Sequence, residues 1–537
     1  MRSSFLGLEV SKRSIQLAQK ALDVTGSNLA NANTEGYTRQ RVDIGALSLN
    51  KYSYYQSKFS RLSLAGQGAT AFGVDQIRDP YIDRRYREST CYVAEYATSR
   101  DVISEVETVL DDISSEGLTK QIDVLLDTMS QYAGQPDNEE LASIVRNQAG
   151  NISDLLRSYY TDLENLKESN LETLNTTIEN TNNIIKEIVD YNKRIVNEYS
   201  VMATGKLAEW QSVTGSYGPN ELLDARNLLL DELSYMGNII VHDNPDGSVR
   251  VEMNGVEIIN GEKYETLYMR GSTKVENHES YSSELHRDYA AYGAAVLRWT
   301  SGDEATFKSG EIKSYVDVLN GNGIYKTGFQ NDSYGIPYYE SVIDSFANDF
   351  GNLMNRLNGA VDNDGNVINP DRLLYCTKEY NEGKAFYEDV GMTAYNMRIA
   401  NCWMEDATML GEVQQADGTW KLTQDGNHVN EMLVRIGTEV VSFGSKGDYE
   451  GTVYDYLLFI NNRIGQQIDF FDAQYQSSYI TTNSLLDSRE AVSGVNPDEE
   501  GINMLEYKNW YNASSRMMTS LDECLDRLIN NTGRAGL

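Results

Sequence analysis

The chain has 537 residues, with 80 acidic and 46 basic side chains and a formal net charge of −34. That balance excludes general nucleic-acid binding and adhesion to anionic membranes, while the length calls for about three or four domains. Only 7 prolines against 36 tyrosines mark an ordered protein, and no run of about 18 apolar residues is available to span a membrane.

The opening Met1–Lys12 stretch has no apolar core or cleavage site of the secretory type, so an extracellular location requires another route of export. The first helix carries Leu8, Ser11, Ile15, Ala18, Leu22, Thr25 and Leu29 at alternating three- and four-residue spacing, one narrow stripe in search of a partner helix. Asn28, Asn31 and Asn33 then weaken it, and Gly36 supplies the positive φ that ends it, in the exit Asn28-Leu-Ala-Asn-Ala-Asn33-Thr34-Glu-Gly36-Tyr37-Thr-Arg39-Gln40. Between 77 and 87, Arg78, Arg84, Arg85 and Arg87 interleave with Tyr81 and Tyr86, but flanking acids argue against a nucleic-acid face.

Residues 139–200 hold no proline and a single glycine, Gly150. Leu171, Leu174, Ile178, Thr181, Ile185, Ile188, Asn192, Ile195 and Tyr199 keep the helical spacing, which predicts a rod-like helix longer than globular norms. Thr181 and Asn192 on that stripe read as register setters or wetted positions. Further on, 248–253 and 256–259 alternate in the strand period and are joined by Asn254-Gly255, with Asn260-Gly261 following; this predicts a meander. Residues 270–335, rich in Tyr, Ser, Gly and charge, read as irregular or β. Tyr339, Ile343, Phe346, Phe350, Leu353 and Leu357 predict another amphipathic helix. A short hairpin is expected around 417–420, and Val453 to Tyr475 again repeats at helical spacing, nearly straight.

The last helix has a full set of start signals. Asn496 caps, Pro497 suits the first helical position, Glu499 stands where a capping-box carboxylate belongs, and Asp498, Glu499 and Glu500 favour the positive end of the dipole. Tyr507, Tyr511, Ser514, Met518, Leu521, Leu525 and Leu528 form its stripe, over a helix roughly 50 Å long. Residues 1–45 carry six basic against four acidic side chains and 494–537 four against seven. Opposite signs favour a meeting of the two ends, although the apolar stripes must do most of the holding.

Nothing along the chain assembles into a catalytic, cofactor or metal site. His278 and His286 with Glu279 and Glu284 fit no helical ligand spacing. Acid pairs such as Asp111-Asp112 are unavoidable at this composition. The run Asp362-Asn-Asp-Gly-Asn366 lacks the glutamate of a calcium loop, having Leu373 at that position. Cys91, Cys376, Cys402 and Cys524 are scattered, with no metal or redox spacing. The expected protein is not an enzyme.

The two ends resemble a known family. Ser27 to Gln40 is similar to the N-terminal signature of bacterial flagellar rod, hook and hook-associated axial proteins. Ser493-Gly494-Val495-Asn496-Pro-Asp-Glu499-Glu500, followed by Tyr507 and Tyr511, resembles their C-terminal motif. Within the family, Pro219–Leu233 and Val74–Arg87 are similar to the hook-associated members and unlike hook or rod proteins. The likeness covers most of 1–270 and 335–537 and is weak between. It implies a structural component of the hook–filament junction, secreted through the flagellar type III export apparatus. The implied partners are further copies in a helical ring, the hook protein, a second junction protein with the filament, and an export chaperone at the C-terminal helix. Carried over, Leu8, Ile15, Ala18, Leu22, Leu29, Tyr507, Tyr511, Met518, Leu521, Leu525 and Leu528 become subunit-packing positions. A hook or distal-rod protein is the alternative, and a secreted glycan hydrolase on an axial scaffold the remote one. The expected fold is mainly α with inserted β. Residues 1–45 and 494–537 would pair as a coiled-coil stem; 46–270, 335–375 and 446–493 would make a helical rod domain with a small β-meander; 271–334 and 376–445 would form a mixed α/β outer part.

Overall fold

The computed structural model describes residues 4–46, 68–110, 117–203, 216–269, 294–362, 366–378, 391–415, 418–444, 447 and 449–530. The His278–His286 cluster, Asp111-Asp112 and the tip of the 362–366 turn lie outside these residues.

In chain order the elements are α1 (Ser4–Ala30), β1 (Gln40–Ala46), β2 (Ala69–Gln76), α2 (Pro80–Val109), α3 (Leu118–Ala133), α4 (Glu139–Ala203), β3 (Ser216–Tyr217) and α5 (Asn220–Met236). Strands β4 (Ile239–Asp243), β5 (Val249–Met253), β6 (Val256–Asn260), β7 (Lys263–Tyr264), β8 (Leu267–Met269) and β9 (Leu297–Trp299) follow, then α6 (Glu311–Asn320) and α7 (Ile336–Leu357). The remainder is β10 (Tyr375–Thr377), β11 (Met397–Ile399), α8 (Asn401–Glu405), β12 (Glu412–Gln414), β13 (Trp420–Leu422), α9 (Asn427–Thr438), β14 (Val441–Phe443), β15 (Tyr449–Gly451), α10 (Val453–Ser493) and α11 (Pro497–Asn530). The fold is mainly α with inserted β. It divides into two compact units, one of residues 1–93, 180–266 and 478–537, the other of 94–179 and 267–477, with three boundaries falling inside α2, α4 and α10 and the fourth just before β8.

In the first unit α1 lies lengthwise along α11. Half-buried Tyr507, Tyr511, Ser514, Met518, Leu521 and Leu525 line the α11 side, and the Ser14 and Ser514 hydroxyls meet at 2.7 Å. The buried arc of α1 is rotated from the expected stripe. Ser11, Ala18 and Thr25 are buried as expected, but Leu17, Ala21 and Val24 complete the core, whereas Leu8, Ile15 and Leu22 are only half-buried and Leu29 is exposed. The cause is a second neighbour: Leu17, Ala21 and Val24 pack on Val42, Ala71 and Val74 of the antiparallel β1–β2 ladder, together with Tyr507. A helix facing two partners buries a wider arc than a coiled-coil seam does.

The meander is present as a four-stranded antiparallel sheet, β4-β5-β6-β7. Its two-residue turn has positive φ at both Asn254 (51°) and Gly255 (90°), the geometry that matches strand twist. Asn192 of α4 is a fully buried anchor for this sheet. Its amide accepts from Val249 N at 3.1 Å and donates to Gly261 O at 3.0 Å. Arg226 of α5 donates both to the Asn192 oxygen (3.1 Å) and to Gly247 O (2.7 Å); burial lowers the Arg226 pKa to about 10. Asn192 is therefore not wetted; it is a dry polar clamp between a helix and a sheet.

The second unit is built on α7, whose Tyr339, Ile343, Phe346, Phe350, Leu353 and Leu357 are all buried. Around them pack α3, the first half of α4, α9 and the first turns of α10. Phe443 stacks on Tyr456 with ring centroids 4.2 Å apart. One expectation fails in this unit. Residues 270–335, read as irregular or β, contain the helix α6, with Ile312, Val318 and Leu319 buried. Within 376–445 lies α9, whose Val429, Met432 and Ile436 enter the main core, as does Val318 of α6. Both helices are short and bounded by glycine (Gly310 and Gly321; Gly426), so their apolar positions barely complete one repeat. The hairpin near 417–420 is present as β12–β13, with Gln414 opposite Trp420.

Candidate assembly site at the joined chain ends

The two terminal motifs meet in the first unit. After α1, Asn28 folds the exit back on itself: its oxygen accepts from Gln40 N at 3.0 Å and from the Tyr37 hydroxyl at 2.9 Å, and its amide donates to Gln40 O at 2.9 Å. Asn28 is 1% exposed, and the three hydrogen bonds of its side chain all shape the turn. Asn31 donates to Ser27 O and accepts from Thr34 Oγ1 at 3.2 Å, while Asn33 is exposed. Gly36 lies against Leu228 of α5 and has φ of 76°, a backbone conformation that favours glycine. Burial raises the Tyr37 pKa, which keeps its hydroxyl a donor.

Beyond the turn, Thr38 N donates to Asp224 at 3.3 Å, and the same carboxylate accepts from Gln76 Nε2 at 2.8 Å. Burial pushes the Asp224 pKa up. This ties the exit to α5, the helix of the 219–233 segment.

Arg39 makes the junction between the ends. Its backbone N donates to Ser493 O at 2.9 Å and its carbonyl accepts from Ile77 N at 2.9 Å. The guanidinium pairs with Glu500 through Nε at 2.8 Å and with Glu499 through Nη1 at 3.0 Å. Asn496 caps α11 by accepting from Asp498 N at 3.0 Å and Glu499 N at 3.4 Å. Glu499 does not serve as a capping-box carboxylate; Arg39, 460 residues away in sequence, takes its side chain instead. Gly494 N donates to Glu490 O at 2.8 Å, and a Cβ there would stand 2.4 Å from that oxygen, so the tight passage from α10 to α11 requires glycine. Val495 is half-buried and Ser493 Oγ donates to Arg489 O.

A second polar cluster was not foreseen from the sequence. Arg78 pairs with Asp83 (3.0 Å), Asp83 with Arg489 (2.9 Å), Arg489 with Asp231 (2.7 Å) and Asp231 with Arg87 (2.7 Å). Burial raises the Asp83 pKa, but the hydrogen bond and charge of Arg78, with Arg489 and Arg87, outweigh it and hold the carboxyl below its usual range. The arginines of the 77–87 run that face inward are thus consumed by carboxylates of α2 and α5. Spacing alone offered no sign of Arg489 as their partner.

Of the expected packing positions, Ala18 is buried inside the chain, Leu8, Ile15, Leu22, Tyr507, Tyr511, Met518, Leu521 and Leu525 are half-buried, and Leu29 and Leu528 are exposed. Among the described residues no group of His, Cys, Asp or Glu is arranged to hold a metal ion, and no helix is long and apolar enough to cross a membrane. Cys91 and Cys376 are buried, Cys402 half-buried and Cys524 exposed, all as free thiols.

Residues 103–369 match the family model of the flagellar hook-associated protein FlgK helical domain. Residues 8–38 match that of the flagella basal body rod protein, and 489–531 that of the flagellar basal body rod FlgEFG protein C-terminal. Flagellar hook-associated protein 1 of Bacillus subtilis is 26% identical over 551 residues, covering 100% of both chains. Its counterpart in Salmonella typhimurium is 20% identical over 580 residues, covering 96% of this chain and 98% of that one. The solved flagellar hook junction protein FlgK from Burkholderia pseudomallei shares the fold, with a TM-score of 0.53 at 11% identity over 76% of this chain and 100% of that one. With rod-type motifs at both ends, joined through Arg39, and the hook-associated helical domain between them, the chain belongs to the family of flagellar hook-associated protein 1.

Proposed function

We propose that the protein is a structural subunit of the bacterial flagellum that sits extracellularly at the hook–filament junction, where it seats the filament on the hook. The observation that carries this reading is the joint between the chain ends. A subunit that transmits torque needs its two terminal helices held as one body, and Arg39, Asn28 and the α1–α11 seam supply that hold. Its partners on this reading are further copies of the chain, the hook protein, and the second junction protein with the filament. The type III apparatus and a chaperone on the C-terminal helix would act before assembly.

Besides the seam, α11 exposes Ile502, Leu505, Trp510, Met517, Leu528 and Ile529, spread around the helix, Ile529 by 70%. Of the expected packing set, Leu29 and Leu528 are the exposed members, the ones most open to neighbouring subunits. Ala18, covered by its own chain, supports the seam instead. Immunogold labelling of purified flagella is expected to place the chain between hook and filament; label along the hook or at the rod would replace this reading with the corresponding axial role. A chain lacking 498–537 is expected to be missing from intact junctions, and its recovery there would refute the role of the joint.

A further inference from the structure

In the first unit an open cleft of about 1520 Å³ lies between the Asn-rich exit, the α10–α11 passage and the faces of α4 and α5. Its lining is mixed, with apolar Ile184, Leu228 and Leu486 beside polar groups. The charge in it is one-sided. Arg39, Arg78 and Arg489 reach the cleft, but each is already held by carboxylates. Glu35, Glu187, Glu232 and Glu490 are exposed at its walls and have no ion-pair partner among the described residues. A ligand that fits must be cationic and partly apolar, with at least two positive charges, because several uncompensated carboxylates facing one space repel each other.

A matching surface stands on the same unit. Tyr86 and Thr90 of α2 line the cleft; at 100° per residue, Tyr81, Arg84 and Arg85 fall on roughly the opposite side of that helix. Tyr81 is 66% exposed, Arg84 and Arg85 are exposed, and the Arg85 guanidinium lies 5.9 Å from the Tyr81 ring centre. This is an aromatic knob with two cations that have no ion-pair partner among the described residues, in a chain whose net charge is −34. One helix thus presents cleft wall on one side and knob on the other, so a molecule cannot fill its own cleft with its own knob.

We propose that the Tyr81–Arg84–Arg85 knob of one copy docks in the acidic cleft of the next, a head-to-tail contact between copies of this chain. Two different patches that complement each other generate an open or closed succession of subunits and not a two-fold dimer. Docking sets two cations against the four glutamates and offsets half of their charge, buries the Tyr81 ring against the apolar lining, and sets the motif residues of one copy against α2 of its neighbour. The inference rests on the reading of the chain as a self-assembling flagellar subunit and names the surfaces that would pair.

The test places the photoreactive residue benzoylphenylalanine at position 81 of the full chain and irradiates isolated flagella. The expected product is a chain–chain dimer whose cross-linked peptide comes from 180–190, 228–236 or 489–499. Chain present in the flagella but cross-linked elsewhere, to another protein or to nothing overturns the contact and leaves the flagellar role intact. Chain missing from the flagella removes both. A charge swap gives an independent readout. R84E with R85E, and E187K with E232K, are each expected to lose motility, while the four reversals together restore it. All four side chains are exposed, so misfolding does not predict the rescue; unaffected pairs, or a combination no better than either pair, would overturn the docking.

Discussion

Replacing Arg39 by alanine tests the joint most directly. The arginine neutralises two carboxylates in very different surroundings. The Glu500 side chain is 3% exposed and that of Glu499 58%. Stranding a buried carboxylate costs about 3–5 kcal/mol, and the N-terminal end of α11 softens this to the lower figure, about 3 kcal/mol, because the helix dipole favours negative charge there. Loss of the exposed partner contributes at most about 1 kcal/mol. The assay is amide hydrogen exchange over 497–511, which reads local opening of the start of α11. An opening free energy lowered by about 3 kcal/mol speeds exchange more than a hundredfold, at about 1.4 kcal/mol per factor of ten. Glu499→Ala should speed it no more than about fivefold, and adding Glu500→Gln to Arg39→Ala should recover much of the loss, since the stranded charge is then gone. A rise below about tenfold for Arg39→Ala, or equal effects of Arg39→Ala and Glu499→Ala, would refute the assignment of the buried pair as the lock.

Asn28→Ala removes three hydrogen bonds around a buried turn and should cost about 2–3 kcal/mol in denaturant unfolding; Asn28→Asp should not restore it, because Gln40 O then faces an acceptor. Asp344, half-buried on α7 and accepting from Ala394 N at 2.8 Å, has its pKa raised by desolvation to about 6. A raised carboxyl favours the folded state most when protonated, so its contribution is full below about pH 4 and is lost as pH rises through about 6, a change of roughly 3 kcal/mol. Asp344→Asn should flatten that fall in a series of denaturation midpoints from pH 4 to 7, and an unchanged slope would contradict it. Gly426 has φ of 61°, and a Cβ there would lie 1.9 Å from Ala133 O, so Gly426→Ala should lower the denaturant midpoint of the second unit by an amount worth about 2–4 kcal/mol.

What could be read beforehand follows from the kind of signal involved. The start of α11, the Asn254-Gly255 turn and the apolar row of α7 are local: each is written in a few neighbouring residues obeying one geometric rule. The buried arc of α1 keeps Ser11, Ala18 and Thr25 of the expected stripe but is wider than a single helical partner implies, because Leu17, Ala21 and Val24 answer to a sheet as well. Helices α6 and α9 escape sequence reading because helices of ten and twelve residues offer little periodicity to detect. The ion pairs of Arg39 and Arg489 and the Asn192–Arg226 clamp were beyond reach for another reason. Each joins residues distant in sequence, and in a chain with 80 carboxylates no spacing picks out which carboxylate an arginine will meet. The terminal motifs were visible as patterns; that Asn28 shapes a turn and Glu499 holds the other end of the chain needed coordinates.

The joint closes a contact across almost the entire chain: Arg39 and Glu500 are 461 residues apart, and Ser14 and Ser514 are 500 apart. A ribosome makes α1 first and α11 last, so the arc of Leu17, Ala21 and Val24 and the guanidinium of Arg39 wait for the final stretch of synthesis before they have partners. A prematurely ended chain, whatever the quality of its middle, carries an open seam and an unanswered cation. The finished joint therefore reports that both motif-bearing helices are present, a check made by the same few side chains that hold them together.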